Sequence, residues 1–420
     1  MLLAILGGSG VAVRSAEAAE GTEVVDVGEA AGGLVTAVEV QGNRRTRRQT
    51  LLELLPRPVP AHYTGAELAE FERRLRNLAI FDHVKVQRRG ERLEIEVREK
   101  WTLIPSVEFS SGQTVADTYA LLGVTEYNLL GTADLLNVSV FREQRGWGTG
   151  FFFSEHTYRR HRWTLGAEGY LYTAEYRFEE GSQWRTAQGT GGLWFTSPPV
   201  LSDYLNVRVE SSYAREVVSE VQGPTSPPSS HAFRAGFSLL WDQYKWEDLV
   251  PRGLRAEGRF GTGMQVSEDS WLPRHAAELS TTAALPLGKL TVLTFRANAS
   301  ALTRGNANFS HLLGSVRGVR GLPDSLYRTW AQGFVNLELR QAVKLAERWA
   351  LQGVLFGDLA RFSVMTAGGS RGRTLDAASI GLGARLVPTW LASVVLRADL
   401  ARLLAPDPAW FLQIGLGQYF

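Results

Sequence analysis

The chain has 420 residues, 44% of them hydrophobic and 21% charged, and a formal net charge of only +2 gives no case for a nucleic-acid partner. Cysteine is absent, which excludes disulfide scaffolds, thiolate metal sites and cysteine nucleophiles. Glycine is abundant at 43, as are the aromatics (12 Trp, 12 Tyr, 19 Phe), and without a long apolar helix this balance points to strands and turns.

The amino terminus, "MLLAILGGSGVAVRSAEAAEG", joins a short apolar run to Ala16-Glu17-Ala18, a small-x-small cleavage pattern, and predicts a secretory signal peptide over residues 1–19 despite lacking a basic lead-in. Residues 20–33 read as a linker. No later segment reaches the roughly 18 to 20 uncharged apolar residues of a spanning helix, which leaves an exported soluble protein or a β-barrel.

Residues 34–99 have the texture of a small α/β unit. "LVTAVEV" predicts a strand ending in a turn at Gly42-Asn43, and Thr46 with Gln49 predicts a capping box opening a short helix that carries Leu51, Leu52, Leu54 and Leu55. Thr64 and Glu67 repeat the device ahead of Leu68, Phe71, Leu75, Leu78 and Phe81, whose steps of three and four give a second helix one apolar face. "VKVQRRGERLEIEVRE" then supplies two alternating strands around Gly90, completing the order β-α-α-β-β. Arg44, Arg45, Arg47 and Arg48 form the densest basic run, a solvated helix start or a surface for anionic lipid headgroups.

From Trp101 onward alternation replaces the helical period, and about sixteen strand candidates fit residues 101–420, with strands of about 9 to 11 residues spanning a membrane. At the end, Trp410, Leu412, Ile414, Leu416 and Phe420 share one face, opposite Gln413, Gly415 and Gly417. In "LASVVLRADL", Ala392, Val394, Leu396, Ala398 and Leu400 oppose Ser393, Arg397 and Asp399. Apolar positions are expected to face lipid, because a charge there costs about 2 to 4 kcal/mol at the midplane.

Several stretches carry a family resemblance. "VEVQGNRRT", "RRLRNLAIFDHVKV" and "LEIEVREK" resemble a POTRA domain, the periplasmic module of the outer-membrane protein 85 superfamily, here of the bacterial surface antigen type with a single module. "EYNLLGTAD" resembles the family's first hairpins, "WDQYKWEDLVPRG" its turn between barrel strands eight and nine, and "FLQIGLGQYF" its carboxy-terminal signal (Trp410, Leu412, Ile414, Leu416 and Phe420). The resemblance implies a transmembrane antiparallel barrel of about sixteen strands in the bacterial outer membrane, with the module in the periplasm. It also implies that the module's edge strand, here Val84, Lys85, Val86, Gln87 and Arg88, binds unfolded client proteins through its unpaired main-chain groups. Against this stands an edge merely solvated and blunted by Lys85, Arg88 and Arg89.

"HLLGSVRGVRGLPDS", residues 311–325, falls between the eleventh and twelfth strand candidates and resembles the family's sixth-loop hallmark, written here Val319-Arg320-Gly321-Leu322 with Leu322 in place of the usual aromatic. In the family this loop folds into the lumen and its Arg meets acidic side chains. Alternation turns Asn336, Glu338 and Arg340 inward in "GFVNLELR", and Phe356 and Asp358 inward in "VLFGDLAR". Arg320 is therefore expected to pair first with Asp358 and second with Glu338, because a planar guanidinium binds carboxylates bidentately, while Gly321 allows close backbone approach.

No phosphate-binding loop or His-Glu-x-x-His occurs, and neither enzyme chemistry nor any cofactor or metal site is expected. The function implied is insertion of barrel proteins into the outer membrane, or movement of proteins across it. Outer-membrane lipids and unfolded clients are the expected partners, and a single module offers few docking surfaces for accessory periplasmic proteins. The alternative is a passive outer-membrane channel or structural barrel with no client.

Overall fold

The computed structural model describes residues 33–417 apart from 79, 112–117, 144, 156–162, 179–180, 203, 248, 269, 304–309, 317, 324–326, 347, 389 and 392–393. The expected signal peptide, nearly all of the linker and Phe420 lie outside the described residues.

The amino-terminal module contains β1 (Gly33–Val35), β2 (Ala37–Gln41), α1 (Arg48–Leu52), β3 (Ala61–Tyr63), α2 (Gly65–Asn77), β4 (Phe81–Arg89) and β5 (Arg92–Glu99). Its main sheet runs β2-β5-β4, with β2 parallel and β4 antiparallel to the central β5. The Thr64–Glu67 capping box forms in both directions and fixes the start of α2. Phe71 and Leu75 on α2, with Leu78 just past its end, then pack with Val84, Leu93, Ile95 and Val97 of the sheet in one buried cluster. Burying each of these side chains contributes about 1.5 to 3 kcal/mol, which is what makes so small a unit fold.

Two local readings are corrected. Thr46 does not cap α1: the helix begins at Arg48 behind Arg47, without a side-chain cap bond. Instead the Thr46 hydroxyl accepts from Asn128 Nδ2 at 3.0 Å and its N–H donates to Glu99 Oε1 at 2.7 Å. A tertiary partner has replaced the local one. The first strand is also broken at Thr36, whose N–H donates to Glu91 O, so that β1 leaves the main sheet and pairs with β3, an element the helical periodicity does not announce.

The barrel strands are β6 (Leu103–Ser110), β7 (Tyr119–Leu129), β8 (Asp134–Glu143), β9 (Gly146–Ser154), β10 (Thr164–Arg177), β11 (Gln183–Thr196), β12 (Leu205–Gln222), β13 (Ser230–Asp242), the short β14 (Lys245–Glu247), β15 (Val250–Ser267), β16 (Trp271–Pro286), β17 (Thr291–Leu302), the short β18 (His311–Leu313), β19 (Tyr327–Ala346), β20 (Trp349–Met365), β21 (Arg371–Pro388), β22 (Leu396–Ala405) and β23 (Ala409–Leu416). Strand β13 pairs directly with β15 and β17 with β19, so β14 and β18 are side pieces and sixteen antiparallel strands close the wall. Lengths run from 8 residues in β6 to 20 in β19, so several strands continue well beyond the expected span.

Alternation sorts the wall. Leu355 and Leu359 are 56% and 62% exposed on the outside, while Phe356 and Asp358 between them are buried in the lumen. Leu337, Leu382, Leu400, Leu412 and Ile414 are likewise exposed, giving an apolar exterior. The expected pattern fails in "LASVVLRADL": Val394 and Val395 are both buried, β22 starts only at Leu396, and Ala392 and Ser393 lie outside the described residues. Val395 there packs with Leu249, Ala342, Ala350 and Val387, a cluster at the end of the barrel that carries the module. A chain turning inward to close an end has no second face to show.

The module is fastened to this end by the turn between β7 and β8. The N–H of Arg47 donates to Gly131 O at 2.9 Å, Thr50 Oγ1 donates to the same carbonyl at 3.0 Å, and Ala133 joins the module's apolar core. Arg45 of the basic run pairs with Glu126 at the foot of β7.

Candidate functional site: a loop anchored inside the barrel

The stretch after β18 enters the lumen and brings Val319, Arg320, Gly321 and Leu322 to full burial or close to it. Arg320 is the centre. Its Nη2 and Nε donate to the two oxygens of Asp358 at 2.7 and 2.9 Å, a bidentate pair, and its Nη1 donates to Glu338 Oε1 at 2.5 Å. Its own N–H also reaches Asp358 Oδ2 at 3.0 Å, so backbone and side chain are held by one carboxylate. Beneath the guanidinium lies the Phe356 ring, 3.5 Å from its centroid, an arrangement that favours the cation where water is excluded.

Asp358 is the hub. Asn336 Nδ2 donates to it at 2.9 Å and to Gly318 O at 2.7 Å, and Ser379 Oγ donates to it at 3.3 Å, so the carboxylate receives donors from the loop, β19 and β21 together. Such complete satisfaction is what lets a charged group stay buried.

Gly321 has φ +90, and a Cβ there would stand 3.2 Å from Phe411 Cδ2. Its N–H donates to Ser315 Oγ. Leu322 is fully buried with Leu313, Phe334, Phe362, Leu403 and Phe411, so the aliphatic side chain fills its site.

The expected members Arg320, Gly321, Asp358 and Glu338 thus meet in one place. Sequence reasoning did not assign roles to five further residues. Arg340 Nε donates to Glu338 Oε2 at 2.6 Å, Arg385 Nη1 to Asp399 Oδ1 at 2.6 Å, and Arg397 Nη2 to Glu108 Oε1 at 2.9 Å. Longer contacts, Arg385 to Glu338 at 3.7 Å and Arg320 and Arg397 each to Asp399 at 3.9 Å, join these pairs into one band that runs from β19 to β6. The available signal was alternation: Arg385, Arg397 and Asp399 all occupy inward positions on strands with apolar outer neighbours.

Two other contacts cross the lumen. At the loop end, the Arg328 guanidinium of β19 lies 3.8 Å from the centroid of Tyr176 on β10, within an apolar cluster that also contains Trp184, Leu302 and Met365. At the module end, Leu249, from the turn between β13 and β15, is buried, and its carbonyl accepts from Gln352 Nε2 at 2.9 Å.

The other expected sites are separate. Val84 to Arg88 lie on β4, an outer strand of the module's sheet. Trp410, Leu412 and Ile414 are exposed on the outside of β23, and Leu416 ends that strand half-buried. Among the described residues, strands β23 and β6 pair at Gln413, Ile414 and Gly415, with the Ser111 N–H donating to Leu412 O at 3.0 Å just beyond, against eight pairs between β22 and β23. Among the described residues no group of three His, Asp or Glu is placed to hold a metal ion.

Fold and site define a class: a sixteen-stranded antiparallel barrel whose lumen holds its own loop, with a small α/β module at one end. No family model matches the chain, and no curated protein matches it. Solved structures do. BamA from Haemophilus ducreyi lacking POTRA domains 1-3 is similar at a TM-score of 0.54 and 12% identity, over 91% of this chain and 84% of that one. CdiB from Escherichia coli gives 0.58 and 13% over 96% and 94%, and CdiB from Acinetobacter baumannii 0.58 and 16% over 92% and 74%. At such identities the likeness is one of fold.

Proposed function

We propose that this chain is an outer-membrane barrel of the outer-membrane protein 85 superfamily, with a signal peptide and a single periplasmic POTRA module, and that it inserts barrel proteins or moves proteins across the outer membrane. The observation that carries the reading is the Arg320–Asp358–Glu338 anchor, which fixes a loop from the far end inside a sixteen-stranded lumen. The apolar exterior supports a lipid environment, because exposed apolar area of this extent marks a non-aqueous neighbour.

In this reading Val84 to Arg88 receive an extended client segment by main-chain pairing, and the short β23–β6 seam is where the wall parts. Trp410, Leu412, Ile414, Leu416 and Phe420 act as the chain's own assembly signal. The work is binding and templating, without catalysis.

The test is a quantitative inventory of outer-membrane and secreted proteins in cells depleted of this protein. Loss of many barrels marks a general assembly factor, and loss of one or two exported proteins a dedicated transporter. Unchanged pools would overturn the proposal in favour of a passive channel.

A further inference from the structure

The outer edge of β4 is already occupied. The N–H of Val86 donates to Glu72 Oε2 at 3.2 Å, and the carbonyl of Val84 accepts from Arg76 Nη2 at 2.9 Å. Both side chains come from α2, one turn apart, and they pair with each other: Arg76 Nη2 and Nε donate to Glu72 Oε1 at 2.5 and 3.2 Å. On the other side of β4, Val84 stands opposite Val97 and Val86 opposite Ile95 of β5. The carboxylate therefore supplies an acceptor, and the guanidinium a donor, where a neighbouring strand would present one C=O and one N–H.

We infer that Glu72 and Arg76 form a latch on the strand-accepting edge, a side-chain surrogate for the incoming strand that an extended polypeptide displaces from Val84 and Val86. The inference rests on the edge-capture reading above and assigns its regulation. Its physical basis is a difference in strength. The latch is an ion pair on a helix surface, 40% and 27% exposed at its two side chains, and pairs of that kind are weak. A docked strand makes a run of main-chain bonds along β4 and buries side chains besides. The latch is strong enough to satisfy an otherwise open edge and blunt it against random pairing, and weak enough to yield to a segment that pairs along several residues. The occupant this selects is an extended chain long enough to replace both contacts at once.

The full-length protein in detergent micelles provides the test, with a fluorescent peptide copying Ala409–Leu416 as the extended probe and anisotropy as the readout. The E72A/R76A variant is expected to bind the peptide roughly three- to tenfold more tightly than wild type. Its Val86 amide should exchange faster when free and slow again with peptide. E72Q, which keeps Arg76 and a weaker acceptor, should show part of the gain, and unchanged exchange along β5 reports that the module stays folded. V86P removes the N–H and should abolish binding in either background. Loss of binding in V86P together with unchanged or weaker binding in E72A/R76A overturns the latch and leaves edge capture standing. Unimpaired binding in V86P overturns edge capture and the latch together.

Discussion

Arg397 donates to Glu108 at 2.9 Å and so ties the penultimate barrel strand β22 to the first, β6, reaching past β23 where β23 and β6 pair at Gln413, Ile414 and Gly415. Arg397 is 4% exposed at its side chain and Glu108 24%, and Arg397 also lies 3.9 Å from Asp399, itself paired with Arg385. The seam and the loop anchor are thus members of one electrostatic band. E108Q is expected to weaken the seam by about 1 kcal/mol, between the value of a wet pair and that of a dry one. Amide exchange at Gln413, Ile414 and Gly415 should rise about fivefold, and the exchanged pair E108R/R397E should recover only part of the loss, because a carboxylate at 397 stands beside Asp399. Exchange indistinguishable from wild type in E108Q would remove the pair as a clasp.

The anchor itself makes a larger demand. Arg320, Asp358 and Glu338 have fully buried side chains, so removing one partner leaves an uncompensated charge and costs about 3 to 5 kcal/mol. R320E should therefore lower the thermal unfolding temperature of the purified barrel and expose the 311–323 segment to protease. D358R on that background should restore part of the stability. The rescue will be incomplete, because Asp358 also accepts from Asn336 and Ser379, which an arginine cannot satisfy. Absence of rescue in the double variant would mean the two charges do not act as a pair.

How much of this was legible in the sequence depends on which force set each residue. Period-two alternation is imposed by the pleat at every wall position, so the inward set Asn336, Glu338, Arg340, Phe356 and Asp358 could be read directly. Which inward charge meets which could not, because the partners of Arg385 and Arg397 are fixed by the barrel's register, which joins Arg397 to Glu108 across 289 positions. Thr46 failed as a cap for the same reason: its sequence context is a capping box, and its actual partner, Asn128, is 82 residues away. Thr64 succeeded because its partner Glu67 is local. The inward turn at Val394 and Val395 defeats alternation, since a buried closing segment has no wet face to mark it.

Gly321 and Leu322 give opposite tests of fit. G321A places a methyl group against Phe411 and Leu403 on a backbone with φ +90, and should cost about 1 to 3 kcal/mol through combined strain and overpacking. L322F installs the aromatic of the motif it resembles, yet Leu322 already sits fully buried among three phenylalanines, so it too should destabilise, by about 1 to 3 kcal/mol. Denaturant unfolding of the two variants decides this, and a stabilised L322F would show the site has room to spare.

The module's position can be tested at one side chain. Asn128 is 4% exposed; its Nδ2 donates to Thr46 and its Oδ1 accepts from the Ala133 N–H at 2.9 Å. N128A leaves both partners unmatched, a loss of about 1 to 3 kcal/mol. Limited proteolysis between the module and β6 should accelerate while the barrel itself stays intact. Cleavage unchanged from wild type would mean that other contacts, among them Arg47 and Thr50 on Gly131 and Arg45 on Glu126, suffice to hold the module.

Contacts reach across the lumen at three heights, and closure in series by them is the property that would set this barrel apart from a diffusion pore. Leu249 fills the module end, Arg320 the middle, and Arg328 over Tyr176 the loop end. A single lesion removes one constriction and leaves two in series, so Q352A, which releases the Leu249 carbonyl, and R328A should each leave the purified protein close to the wild-type conductance in planar bilayers. R320A should likewise stay nearly closed as long as both ends hold. Combining Q352A, R320A and R328A removes every one of the three crossings, and steady ion conductance is expected to appear only there. Conductance already large in wild type would overturn the series-closure argument, and with it the strongest ground for preferring a protein-handling barrel over a passive channel.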